Sequence, residues 1–196
     1  MTSKAIYGLV LSGGKSRRMG QDKALLENNG QSQLAHVAGV LDACVDKVFV
    51  STRADQENDE VRAQFDRIVD RYDDMGPVAG ILSALETSPE ADWLVVACDL
   101  PNITEQTIRD LLEQCEGEQA FTAYASSYDG LPEPLCAVYH SGSEAIVRQF
   151  VKEGINCPRK ILIRSDTKLL DQRHPEALDN VNTPDDLQSS ILQATN

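Results

Sequence analysis

One stretch constrains what this chain can fold into more than any other: Ile6-Tyr7-Gly8-Leu9-Val10-Leu11, followed at once by Ser12-Gly13-Gly14-Lys15-Ser16-Arg17-Arg18-Met19-Gly20-Gln21-Asp22-Lys23. The first part is short, apolar and rich in branched side chains, as a strand buried on both faces must be. Two glycines at its exit let the backbone turn sharply and come close to a ligand, since no Cβ intervenes. Lys15, Arg17, Arg18 and Lys23 follow, and only Asp22 opposes them. A strand, a glycine turn, backbone N–H groups and clustered cations make a phosphate cradle. The same residues also suit an ordinary turn with solvated charges.

Two common phosphate loops are excluded by spacing. A Walker A loop would require glycine at position 9, which is Leu9. The dinucleotide fingerprint fails because nothing after Gly13-Gly14 supplies the third glycine until Gly20.

The rest of the chain alternates apolar runs with helical periodicity. Val48-Phe49-Val50, Arg67-Ile68-Val69-Asp70 and Trp93-Leu94-Val95-Val96-Ala97 read as strands. Helices are expected over 32–45, 55–65, 77–87 and from Thr104 to about residue 115. Strands alternating with helices predict an α/β fold with a parallel sheet covered on both faces. Ligands gather beyond the carboxyl ends of such strands, where the glycine loop, Ser51, Asp70 and Asp99 all fall. Further on, 120–124 and 135–139 read as strands separated by Asp129-Gly130-Leu131-Pro132-Glu133-Pro134. A helix is expected over 142–152, and Cys157-Pro158 opens another. In Asn180-Val181-Asn182-Thr183-Pro184-Asp185-Asp186-Leu187, Thr183 is an apt N-cap and Pro184 an apt first helical residue. No repeat or linker interrupts the chain, so one domain over 1–196 is expected.

Composition narrows the partners. A net charge of −13 disfavours a nucleic-acid surface, which needs a basic stripe. A small anion can still be held by the locally positive loop together with a metal ion. No run approaches the roughly 18 apolar residues of a membrane span. Five scattered cysteines without a C-x-x-C pair suit reduced thiols, and a cytoplasmic location is expected. Asp99, after the most hydrophobic strand, is a natural Mg²⁺ ligand beside phosphates, although a turn aspartate would look the same.

The order Leu11-Ser12-Gly13-Gly14, Ser16-Arg17-Arg18-Met19-Gly20 and Asp22-Lys23 closely resembles the signature loop of the nucleotidyltransferases that build nucleotide sugars and molybdenum cofactors. With Gly76-Pro77-Val78-Ala79-Gly80, Cys98-Asp99-Leu100-Pro101 and the 180–187 stretch, the chain resembles the molybdenum cofactor guanylyltransferases along nearly its whole length. That resemblance implies a three-layer, Rossmann-like fold of the nucleotide-diphospho-sugar transferase type. It implies Mg²⁺-dependent transfer of GMP from GTP to the phosphate of molybdopterin, with loss of pyrophosphate. Leu11, Ser12, Gly13, Gly14, Lys23, Ser51, Asp70 and Asp99 would bind nucleotide. Lys23, Asp99 and Arg17 (or Arg18) would be catalytic, Asp99 would hold the metal, and Asn180 and Asn182 would face the acceptor. Cofactor-biosynthesis proteins are possible partners; nucleic acid and membrane are not expected. Two departures stand out: Ser51 replaces a common asparagine, and Leu131-Pro132 replaces a common His-Pro. A cytidylyltransferase or sugar-phosphate nucleotidyltransferase of the same fold is the alternative, and a non-catalytic nucleotide-binding protein a more distant one.

Overall fold

The apolar run that opens the sequence forms β1 (Ile6–Leu11), and in the computed structural model it lies inside a seven-stranded sheet. Residues 4–12, 22–28, 30–56 and 58–180 are described, Lys23 and Asn28 by backbone alone. The polar residues after the loop pair as a small separate hairpin, β2 (Glu27–Asn28) with β3 (Gln31–Ser32). The Ser32 hydroxyl then accepts from Ala35 N–H at 3.2 Å and caps α1 (Gln33–Asp42), whose Leu34, Val37, Ala38 and Leu41 are buried.

The main sheet is completed by β4 (Lys47–Thr52), β5 (Arg67–Val69), β6 (Asp92–Ala97), β7 (Phe121–Ala125), β8 (Pro132–Tyr139) and β9 (Thr167–Leu170). Its order is β5-β4-β1-β6-β8-β7-β9. Only β8 runs against the others: β1, β4, β5 and β6 are mutually parallel, and β7 and β9 pair in parallel with each other. The helices are α2 (Pro77–Thr87), α3 (Glu105–Glu113), α4 (Ser143–Lys152) and α5 (Pro158–Ile163).

Neighbouring residues along one strand enter opposite cores, as a period of two requires. Val10, Leu94 and Val96 pack with α1 and with Ile108 and Leu111 of α3. Leu9, Trp93 and Val95 pack with Ile81, Leu82 and Leu85 of α2, Val147 of α4, and Ile161 and Leu162 of α5. Two cores on two faces make the three layers, helices–sheet–helices. Each of these fully buried side chains is worth about 1.5–3 kcal/mol of transfer free energy. At the amino end of the sheet Trp93 lies against Tyr7 and Phe49, with ring centroids 5.5 Å away in both cases.

Two expectations change, and one strand has no counterpart among the elements expected. The helix over 55–65 is replaced by short 3₁₀ turns at Ala54–Gln56 and Arg62–Gln64. There Asp59 takes the Arg62 N–H on its own carboxylate at 2.8 Å, a local bond that competes with helix. Pro132-Glu133-Pro134 is not a separator but the first part of β8. Pairing with β6 uses only Cys136 to Tyr139, so on that side the prolines sit where no ladder donor is needed. Finally, β9 is an edge strand whose Leu169 is 46% exposed, and its short, half-wet pattern carries little periodic signal.

Candidate active site at the carboxyl rim

Parallel pairing brings the exits of β5, β4, β1 and β6 onto one rim, in that order. They carry Asp70, Ser51 with Thr52, Leu11 with Ser12, and Cys98 with Asp99. Three strand spacings, about 14 Å, separate the strand that ends at Asp70 from the one that ends at Asp99.

At one end of the rim the Ser51 hydroxyl donates to Asp70 Oδ1 at 2.7 Å. Burial pushes the Asp70 carboxyl above its ordinary value, and the Ser51 bond and the Arg53 charge oppose that shift only in part. Ser51 itself is 1% exposed, so its hydroxyl serves Asp70 rather than the surface. Helix α2 closes over this pair at Gly80, where a Cβ would stand 3.0 Å from Ser51 Cβ and 2.9 Å from Leu11 Cδ2. That close approach explains the second glycine of Gly76-Pro77-Val78-Ala79-Gly80.

At the centre Ser12 is also turned inward. Its hydroxyl donates to the Ser51 carbonyl at 2.8 Å and accepts from Arg62 Nε at 3.0 Å. Arg62 is fully buried, and its Nη2 reaches both the Ser12 carbonyl, at 2.7 Å, and Asp22 Oδ2, at 2.8 Å. Nothing in the sequence singles out Arg62. It is one arginine in a polar segment, and the only hint is Asp59, which pairs with its Nη1 at 2.9 Å.

Asp99 leaves β6 half-buried, and the backbone beyond it is held in the core by Leu100 and Ile103, 3% and 1% exposed. The neighbouring Cys98 thiol is pushed up to about 12, first by burial and then by the negative charges of Asp99 and Asp22; Arg62 opposes this. Asp22 and Asp99 therefore both act on this thiol, at the join between the loop and the β6 exit. All five cysteines are unpaired.

Asn180 is exposed. Just before it, Asp179 accepts from the Tyr128 hydroxyl at 3.0 Å, and Tyr128 lies in the turn leaving β7. Asn102, three residues past Asp99, donates to the Glu176 carbonyl at 3.3 Å. The segment leading to Asn180 is thus tied to the loop that carries Asp99. Gly13, Gly14, Arg17, Asn182 and the Lys23 side chain lie outside the described residues. Among the described residues no group of three or more His, Cys, Asp or Glu side chains is arranged to hold a metal, and no helix is long and apolar enough to cross a membrane.

The chain is similar to known proteins in sequence and in fold. It is 36% identical over 181 residues to a molybdenum cofactor biosynthesis bifunctional protein of Synechocystis. That match covers 92% of this chain but 52% of the relative, so the chain spans about half that protein's length. It is 33% identical to a probable molybdenum cofactor guanylyltransferase of Pelotomaculum thermopropionicum, over 96% of this chain and 93% of the relative. In fold it is similar to the crystal structure of molybdopterin-guanine dinucleotide biosynthesis protein A from Archaeoglobus fulgidus, with a TM-score of 0.80 at 22% identity over 96% and 98% of the two chains. Residues 8–168, from within β1 to within β9, match the MobA-like NTP transferase domain, and the chain belongs to that family.

Proposed function

We propose that residues 1–196 act as one domain that transfers GMP from GTP to the phosphate of molybdopterin and releases pyrophosphate. The observation that carries this reading is the rim itself: a partly buried carboxylate at the β5 exit, a half-buried carboxylate at the β6 exit, and between them the exit of β1, after which the glycine-rich sequence follows. Relatives named molybdenum cofactor guanylyltransferases supply the base and the acceptor. Asp70 would hold the guanosine part. Leu11, Ser12, Gly13 and Gly14 would follow the phosphates with their backbone, since the Ser12 hydroxyl is committed inward. Lys23 and Arg17 would neutralise phosphate charge, and Asn180 and Asn182 would face the pterin.

The rim's donors fit Mg²⁺ in one particular way. Of the two carboxylates beside Cys98, Asp22 already accepts from Arg62 and from Ala24 N–H. Asp99, half-buried at the β6 exit, would be the metal's carboxylate, and Mg²⁺ takes one or two carboxylates plus substrate phosphates and waters. The site therefore suits a metal that arrives on the triphosphate, where it would stabilise the charge of the departing pyrophosphate. In the reaction an acceptor phosphate oxygen bonds to the α-phosphorus as the bond to the bridging oxygen breaks, and pyrophosphate takes that electron pair. The nucleophile is already an anion, so the chain needs only to align and neutralise, with no general base. The unpaired cysteines fit a reducing compartment such as the cytoplasm.

The test is pyrophosphate release with molybdopterin and each of GTP, CTP, ATP and UTP. Turnover with GTP alone is expected. Preference for CTP, or turnover only with a sugar phosphate as acceptor, would overturn the reading.

A further inference from the structure

We infer that Arg62 is a positioning residue for the phosphate loop, an assignment that rests on the transferase reading above. Its guanidinium joins the residue just before the 13–21 stretch to the residue just after it. Ser12 contributes its carbonyl and hydroxyl, and Asp22 its carboxylate; two of these oxygens meet at the single nitrogen Nη2. On the far side Asp59 holds Arg62 twice, through Nη1 at 2.9 Å and through the backbone N–H at 2.8 Å. Gln56 Nε2 adds a 3.5 Å contact to the same Asp22 oxygen.

Two physical arguments separate this from ordinary packing. A buried charge is a poor way to gain stability, because apolar residues of similar volume usually do as well or better. A fully buried arginine between two aspartates is therefore better explained by what it orients. In addition, the guanidinium is a rigid planar fork that fixes the relative placement of its acceptors, which a lysine ammonium cannot do. Arg62 thus sets the distance and angle between the two stems from which the loop is strung. Its charge also offsets that of Asp22 beside Cys98 and Asp99.

The experiment compares the native chain with R62K, D59N and E86A. E86A serves as a destabilised control outside the Arg62 cluster, since Glu86 bridges Arg71, Tyr72 and Arg148 on the α2–α4 side. Affinity for inorganic tripolyphosphate and for GTP is measured by calorimetry, and unfolding in urea is followed in parallel. R62K should bind both about tenfold or more weakly, the effect of one misplaced charge-assisted hydrogen bond. D59N, which loosens Arg62 without touching the loop stems, should show a smaller loss in the same direction. E86A should lose stability and keep its affinity for tripolyphosphate. Native affinity in R62K and D59N, or an equal loss in E86A, would overturn the assignment, as would a native chain that does not bind tripolyphosphate. A native chain that binds tripolyphosphate but does not turn over GTP would sink the guanylyl reading and leave the R62K comparison decisive.

Discussion

Replacing Gly80 by alanine should destabilise this protein, the opposite of what the same change does in an exposed helix. In a helix interior alanine is favoured over glycine by about 1 kcal/mol. At position 80, however, the new Cβ would stand 2.9 Å from Leu11 Cδ2 and 3.0 Å from Ser51 Cβ, with Ser51 Oγ nearer still. Ser51 cannot simply turn aside, because it is 1% exposed and its hydroxyl is bonded to Asp70 at 2.7 Å. Relief requires either a shift of α2, at an overpacking cost of about 1–3 kcal/mol, or loss of the bond to a carboxylate, at about 1.5–3 kcal/mol. Set against the helix gain, the net loss is up to about 2 kcal/mol when one of the two yields, and about 1.5–5 kcal/mol when both do. Urea unfolding measures it directly. The contact predicts coupling: in a Ser51→Ala background, where Oγ is gone, the penalty for Gly80→Ala should shrink. A Gly80→Ala protein more stable than the native chain by the full helix gain, or a penalty unchanged by Ser51→Ala, would refute the close-approach argument.

Three further outcomes follow from the same rim and sheet. Asp70 has its carboxyl raised by burial, so its ionised form costs the fold stability as pH rises above the ordinary value of 3.8. Asp70→Asn should therefore be the more stable protein at neutral pH, lose that advantage below about pH 4, and bind GTP more weakly, as melting curves and calorimetry would record. Asp92 behaves oppositely. Burial pushes it up, but bonds from His140 Nδ1 at 3.2 Å and Ser141 N–H at 2.7 Å outweigh this and hold it below 3.8. Its contribution is complete above that value and lost as pH falls through the depressed one, so the stability gap between native and Asp92→Asn proteins should narrow below about pH 4. Finally, Mn²⁺ binding followed by spin resonance should be weak to the protein alone and strong once GTP is added, with Asp99→Asn abolishing the second signal; tight binding without nucleotide would disprove a metal delivered on the triphosphate.

What the sequence determined by itself is the part of the protein whose environment is uniform. A strand buried on both faces must be apolar throughout, so the strands at Ile6–Leu11 and Asp92–Ala97 are legible as runs, and the helices between strands are legible by their stripes. Alternation then orients those strands alike and puts Asp70 and Asp99 on one rim before any coordinate is known. Tertiary structure decided whatever depends on a partner distant in the chain. Ser51 looks like a surface hydroxyl until α2 closes over it at Gly80, 29 positions later. Pro132 and Pro134 look like breakers until the β6 pairing stops at Cys136. Arg62 looks like one more solvated cation in an acidic chain, because charge and helical period are local properties. Its burial is set by Ser12, 50 residues away, and by Asp22, 40 residues away. A buried charge is tolerable only where such distant acceptors converge, and that convergence exists only once the chain has folded.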